Sequence, residues 1–190
     1  MKTIASPATT RLETERLILR PVNTADIPAI VTHAGDPRIA FKTTLIPHPY
    51  HLGHALDWLE SVMVDRKQGN EVFAIERRDE PEAGMIGIVS LELRSDKCSA
   101  DVGYWLGVPY WRKGYATEAL REVLRHGFED RSLLYVGACH MADNQASGRV
   151  MQKANMKFEH VIRGGLVRFG TAYDRVNYGI FADEWRFAGG

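Results

Sequence analysis

Between Gly103 and Leu120 the chain reads GYWLGVPYWRKGYATEAL, in which two cations and a glycine precede a helix-forming run. The first amides of a helix have no internal partner and carry a partial positive charge. Gly114 lets an anion approach the backbone closely, Ala116 keeps the next turn uncrowded, and Arg112 and Lys113 add charge at the same place. Such an arrangement can hold a pyrophosphate at the helix terminus. The plainer alternative is a glycine that only turns a loop into a helix, with Arg112 and Lys113 solvated. A nucleoside-triphosphate loop would end in Lys-Ser or Lys-Thr, and a dinucleotide fold would show GxGxxG; this stretch has neither.

Two other groupings have reactive residue types without reactive spacing. Cys139 and His140 are adjacent. On a strand, neighbours point to opposite faces, which disfavours a covalent Cys–His pair and leaves a buried free thiol as the expectation. His48, His51 and His54 match no zinc pattern, and Pro49 just before a helix is ordinary, so no metal site is expected. The acidic run Asp79 to Glu82 reads as a solvated turn.

These residues need a scaffold, and the pattern supplies one. Glu15 to Pro21 alternates like a short strand, and Thr24 is placed to cap a helix through Ile27, Ile30 and Val31. A second helix is predicted from His51 to Lys67, with Leu52, Leu56, Leu59 and Met63 on its apolar face. Strands follow over 71–77, 84–93 and 98–106, then a helix over 114–129, a strand over 133–140, a helix over 144–154, and late strands over 158–162 and 175–181. This order implies an α/β sheet with helices on both faces. Residues 1–13 read as a lead-in and 14–187 as one domain. The 24 Lys and Arg balance the 24 Asp and Glu, which argues against a nucleic-acid surface. Two cysteines form no disulfide framework, and no apolar run reaches the ~20 residues of a membrane span. With no secretory leader in view, a cytoplasmic location is expected.

The segment Tyr110 to Leu120 resembles the acetyl-CoA pyrophosphate loop of the GNAT acetyltransferases. Trp111 at the usual Gln/Arg position, followed by GYATEA, is similar to the RimJ/RimL type. Other pieces agree in order: TERLILR at 14–20, ADVGYWL at 100–106, Asn144-x-x-Ser147, and Asp174-x-x-x-Tyr178. Where that type usually has Lys-x-Gly-Phe, this chain has Lys153-Ala154-Asn155-Met156. Asn tolerates the left-handed conformation that ends helices, and Met can fill the apolar slot.

The resemblance implies a single mixed, mostly antiparallel sheet of about seven strands with a central parallel splayed pair. It implies an enzyme that moves acetyl from acetyl-CoA to a primary amine, either a peptide N-terminus or a small molecule, by direct transfer in a ternary complex. A catalytically silent acetyl-CoA-binding domain is the alternative. Main-chain groups at Tyr104, Trp105 and Leu106 would hold the pantetheine arm. Those at Arg112, Lys113, Gly114, Tyr115, Ala116 and Thr117 would hold the pyrophosphate. The amine must lose a proton, and Asp101, or Glu92 on the preceding strand, is the candidate base; either could instead be a solvated or salt-bridged strand residue. Ser147 would stand near the thiolate, unless it is an ordinary helix-surface hydroxyl, with Asn144 bonding the cofactor arm. The tyrosine that many GNAT enzymes place seven residues beyond the Asn is Met151 here. The resemblance is compatible with a homodimer.

Overall fold

The computed structural model describes residues 10–188. Eight strands form one sheet in the order β1-β2-β3-β4-β5-β6-β8-β7. They are β1 (Leu12–Glu13), β2 (Leu17–Pro21), β3 (Glu71–Arg77), β4 (Met85–Leu93), β5 (Ser99–Leu106), β6 (Tyr135–Met141), β7 (Lys157–Arg168) and β8 (Thr171–Phe181). Every neighbouring pair is antiparallel except β5 with β6. The helices are α1 (Ile27–Ala34), α2 (Pro37–Ala40), α3 (Leu52–Arg66), α4 (Tyr115–Arg125), α5 (Gln145–Lys153) and α6 (Ala182–Ala188).

Period-two alternation sorts the strand residues between two cores. On one face, Leu17, Leu19, Phe73, Ile75, Val89, Leu91 and Val136 pack against Tyr115, Ala119, Leu120, Val123 and Leu124 of α4 and Met151 of α5. On the other, Ala74 and Ile88 meet Ile30 and Ala34 of α1 and Ala55, Leu59 and Val62 of α3. Full burial of one such aliphatic side chain contributes about 1.5–3 kcal/mol, so either layer alone outweighs any single polar contact in the fold.

Several sequence expectations shift. The sheet has eight strands rather than about seven, because Leu12 leaves the lead-in, pairs with Leu19 and is buried. The rest of that lead-in, residues 1–9, lies outside the described residues. The first helical turn is capped by Asn23, not Thr24: its side chain accepts from Ala25 N, and Asp26 returns a bond to Asn23 N. Helix α3 buries Ala55, Leu59 and Val62, while Leu52, Leu56 and Met63 are exposed. The buried set is the i, i+4, i+7 row turned about one residue from the leucine row, and its smaller side chains allow close approach to the sheet. The late strands are longer than their apolar stretches, because a hairpin extends past the body of the sheet with most of β7 exposed. Asn155 does take the left-handed conformation, at φ 65°. The Asn155 and Met156 amides bond back to the carbonyls of Gln152 and Met151, a Schellman closure, and Met156 is buried.

The helix predicted to run to 129 changes character at His126, where a π turn spans His126–Asp130. Buried His126 lies between two carboxylates, Nε2 at 3.1 Å from Glu71 and Nδ1 at 3.0 Å from Asp130. Burial opposes its charging, but hydrogen bonds and attraction from Glu71 and Asp130 outweigh it and raise its pKa. A raised folded pKa gives stability that is complete below the unfolded value near 6.5 and is lost as pH rises through the folded value. Urea unfolding across that range should therefore show stability falling with pH in the native protein, and His126→Gln should flatten this slope. An unchanged slope in the variant would exclude His126 as its source.

Candidate active site

Strands β5 and β6 run parallel for three residue pairs, Ser99↔Tyr135 to Asp101↔Gly137, and then part. β5 stays on β4 as far as Leu106, while β6 stays on β8 as far as Met141. Beyond Asp101 the edge of β5 facing β6 therefore has no strand partner, which leaves main-chain donors and acceptors open to a ligand in the cleft.

One contact spans that cleft. The Tyr104 hydroxyl on β5 lies 2.9 Å from Ser147 Oγ and 3.0 Å from the Ser147 carbonyl oxygen on α5. Burial pushes the Tyr104 phenol well above its ordinary pKa, so it remains a proton donor at neutral pH. Asn144 caps α5, its Oδ1 accepting from Ser147 N at 3.3 Å, and its Nδ2 donates to the Lys42 carbonyl at 3.2 Å. Both ends of the carboxamide are thus engaged within the protein, orienting Ser147 and tethering the loop between α2 and α3. Helix α5 sits close to β6 because Gly148 leaves room: a Cβ there would lie 2.8 Å from Nε2 of buried His140.

The other two catalytic candidates lie on the opposite face of the sheet. Glu92 and Asp101 are paired in register across β4 and β5, and this face is the one that packs on α1 and α3. Asp101 makes a two-pronged ion pair with Arg94, at 2.6 and 2.9 Å, and Glu92 accepts from Ser90 Oγ at 2.9 Å. The structure therefore brings Tyr104 to Ser147 and Glu92 to Asp101, but keeps the two pairs on different faces. Only where the strands part can one group meet both.

At the mouth of the cleft, the loop after β5 is held by interactions that the sequence motifs did not reveal. Trp111 Nε1 donates to the Leu106 carbonyl at 2.7 Å, pinning the loop to the end of β5. Gly114 precedes α4 at φ 86°, a left-handed conformation that side chains resist. Glu118, one turn into α4, accepts from Thr14 Oγ1 at 2.5 Å and from Arg16 N and Nε at 3.0 and 2.7 Å. Arg16 also donates to the Lys113 carbonyl and covers the Tyr115 ring. Burial works against Glu118 ionisation, yet the Thr14 and Arg16 hydrogen bonds and the Arg16 charge outweigh it and hold its pKa below the ordinary range. Two separated motifs, TERL and GYATEA, are thus halves of one lock. Arg112 and Lys113 stay exposed, with no carboxylate at ion-pair distance among the described residues. A groove of about 660 Å³ runs beside Gly114 along α4, but Glu15, Glu118, Glu122 and Glu129 balance its four cations. The groove therefore has no net charge of its own.

A family model described as "Acetyltransferase (GNAT) domain" matches residues 16–157, from the Arg16 of the lock through the Gly114 loop, the cleft and α5. The chain belongs to the GNAT acetyltransferase family. An uncharacterized N-acetyltransferase of Bacillus subtilis strain 168, YoaA, is 31% identical over 172 residues, covering 89% of this chain and 95% of the relative. Among solved structures, a GNAT-family acetyltransferase from Bacillus anthracis superposes with a TM-score of 0.82 at 21% identity, covering 92% of this chain and 99% of the other. RimL, a ribosomal L7/L12 α-N-protein acetyltransferase solved with coenzyme A, gives 0.82 at 17% identity over 92% and 99%. The microcin C7 self-immunity acetyltransferase MccE, solved with acetyl-CoA and AMP, gives 0.79 at 17% over 88% and 93%. At such identities these structures establish the shared GNAT fold.

The lock makes a direct prediction about this GNAT domain. Glu118→Ala strands the Thr14 hydroxyl and the Arg16 amide and guanidinium, and should cost about 1–3 kcal/mol in urea unfolding. Arg16→Ala should cost less on top of Glu118→Ala than it does alone, because the partner of the guanidinium is already gone. Strict additivity would show that the two do not interact.

Proposed function

We propose that this GNAT protein transfers acetyl from acetyl-CoA to a primary amine, either a small molecule or a peptide N-terminus, by direct attack in a ternary complex. The observation that carries this reading is the open β5–β6 cleft, with the Tyr104–Ser147 pair across it and the Gly114 cradle at its mouth. Acetyl-CoA fits these residues. The left-handed turn at Gly114, the exposed Arg112 and Lys113 and the first amides through Thr117 suit a pyrophosphate. The unpaired edge of β5 from Tyr104 to Leu106 suits the amides of the pantetheine arm, although the Leu106 carbonyl already accepts from Trp111.

The reaction needs one proton removed from the amine and one returned to the departing sulfur. Ser147 Oγ, oriented by the Asn144 cap and bonded to the Tyr104 phenol, donates to the sulfur from the α5 face. A carboxylate on the other face takes the amine's proton, directly or through water. Asp101 stands where the strands begin to part, but Arg94 competes for its oxygens. Glu92 has no such cation and is its neighbour. Cys139 is set aside as a nucleophile, since no base contacts it and the adjacent His140 points to the other face, with Nδ1 engaged by the Met141 carbonyl.

Calorimetric titration with acetyl-CoA tests the reading at its root. One-to-one binding is expected, and Gly114→Glu should abolish it while thermal melting shows a folded protein, because the change puts bulk and negative charge in the cradle. Undiminished affinity in that variant would refute the assignment of the loop. For the chemistry, Ser147→Ala should lower kcat by about 10–100-fold with little change in acetyl-CoA affinity. Asp101→Asn and Glu92→Gln should be compared by their kcat/KM–pH profiles: the base is the residue whose removal abolishes the acidic limb.

A further inference from the structure

The hairpin of β7 and β8 carries two guanidinium groups on one face. Alternation along β8 places Arg175 with Tyr173, Asn177 and Gly179, and the pairing Arg168↔Thr171 puts Arg168 on that same side. Register with β6 extends this face to Cys139 and Met141, and thus to the acceptor side of the cleft where Asp101 and Glu92 also lie.

Arg168 is 9% exposed, the one arginine or lysine among the buried described residues. It donates to the carbonyls of Ala40, Thr44 and Ile46 and lies 3.8 Å from the Phe169 ring centre, so it fastens the hairpin tip to the α2–α3 loop. No carboxylate of the described residues reaches it. Arg175 is half-buried and likewise has no carboxylate partner, and its Nε is the one buried side-chain polar atom among the described residues without a hydrogen-bond partner. A buried guanidinium donor without an acceptor costs free energy that an oxyanion would recover. The face therefore carries Glu92 and the Arg94-paired Asp101 near the closed end of the cleft, and guanidiniums without carboxylate partners among the described residues towards its open end. Arg175 faces Met141, two residues beyond Cys139, a rise of about 7 Å that an arginine side chain can span.

We propose that the acceptor amine carries an oxyanion, a carboxylate or phosphate, close to the amine, and that Arg175 binds it while Arg168 positions the wall. This specificity rests on the acetyltransferase reading above. The amine would meet the carboxylate end of the face and the oxyanion the arginine end, so an acceptor of the wrong charge pattern, such as a polyamine, is repelled where an amino acid or acidic peptide is held.

The test uses the full chain saturated with acetyl-CoA and matched acceptors: glycine against glycinamide, phosphoethanolamine against ethanolamine, C-terminally amidated Ser-Asp-Ala against amidated Ser-Asn-Ala, and 1,4-diaminobutane. Thiol release and calorimetric binding are read for each. At least one anionic member should exceed its neutral partner by about tenfold or more, and which pair responds identifies the source of the oxyanion. Arg175→Gln should bring that ratio towards one mainly through KM, and Arg175→Lys should restore part of it, a pattern that loss of structure would not give. Equal or better binding and turnover of the neutral members or the diamine overturns the proposal, as does a ratio that survives Arg175→Gln. Failure of the native protein to bind acetyl-CoA at all would instead overturn the acetyltransferase reading beneath it.

Discussion

The parting of β5 from β6 is the constraint from which the rest of the molecule follows. A sheet interior normally pairs every main-chain donor and acceptor, and leaving a central strand edge open costs free energy at each unpaired group. Here the edge opens after only three pairs, while both strands remain fully paired on their outer sides. The outer pairing keeps the opening rigid. The apolar layers on both faces then fix the two half-sheets, with α4 and α5 on one side and α1 and α3 on the other.

The opening also resolves an apparent conflict in the placement of the candidate residues. Alternation sends Tyr104 to one face and Asp101 to the other, and no rotamer of either can cross a closed sheet. In an unbroken sheet these residues could not serve one reaction. In the proposed reaction, a thioester lying between the parted strands presents its sulfur to Ser147 and its carbonyl carbon to an amine from the far face. The ion pair of Asp101 with Arg94 and the bond from Ser90 to Glu92 belong to the acceptor side alone.

How much of this could be read from the residues depends on the range of the interaction involved. The helix cap at Asn155, the glycine turn at 114 and the strand pattern of β3, β4 and β5 are local, so residue type and spacing nearly suffice. On α3 the spacing points to Leu52, Leu56, Leu59 and Met63, yet of these Leu59 alone is buried, because close packing on the sheet favours Ala55 and Val62 beside it. The Glu118 lock was visible only as two motifs about a hundred residues apart, with nothing local to say that they touch. The guanidiniums of the hairpin carried no signal at all. Arginine is common on surfaces, and only the fold reveals which ones lack a counter-ion.

That last point bears on how charge is used throughout the chain. Overall neutrality, 24 against 24, describes the total and conceals a division of labour. Arg20 is held by Asp26 and Glu76, Arg131 by Glu71, and Arg16 by Glu118, joining elements distant in sequence. These cations are spent on architecture, since a partnered charge projects little field. Among the described residues, Arg112 and Lys113 at the mouth of the cleft and Arg168 and Arg175 on the hairpin have no carboxylate at ion-pair distance and retain their field. A neutral protein can therefore present a strongly polarised site. The net charge argues only against a broad electrostatic surface, while the identity of a small ligand is governed by the few charges that folding leaves unpaired.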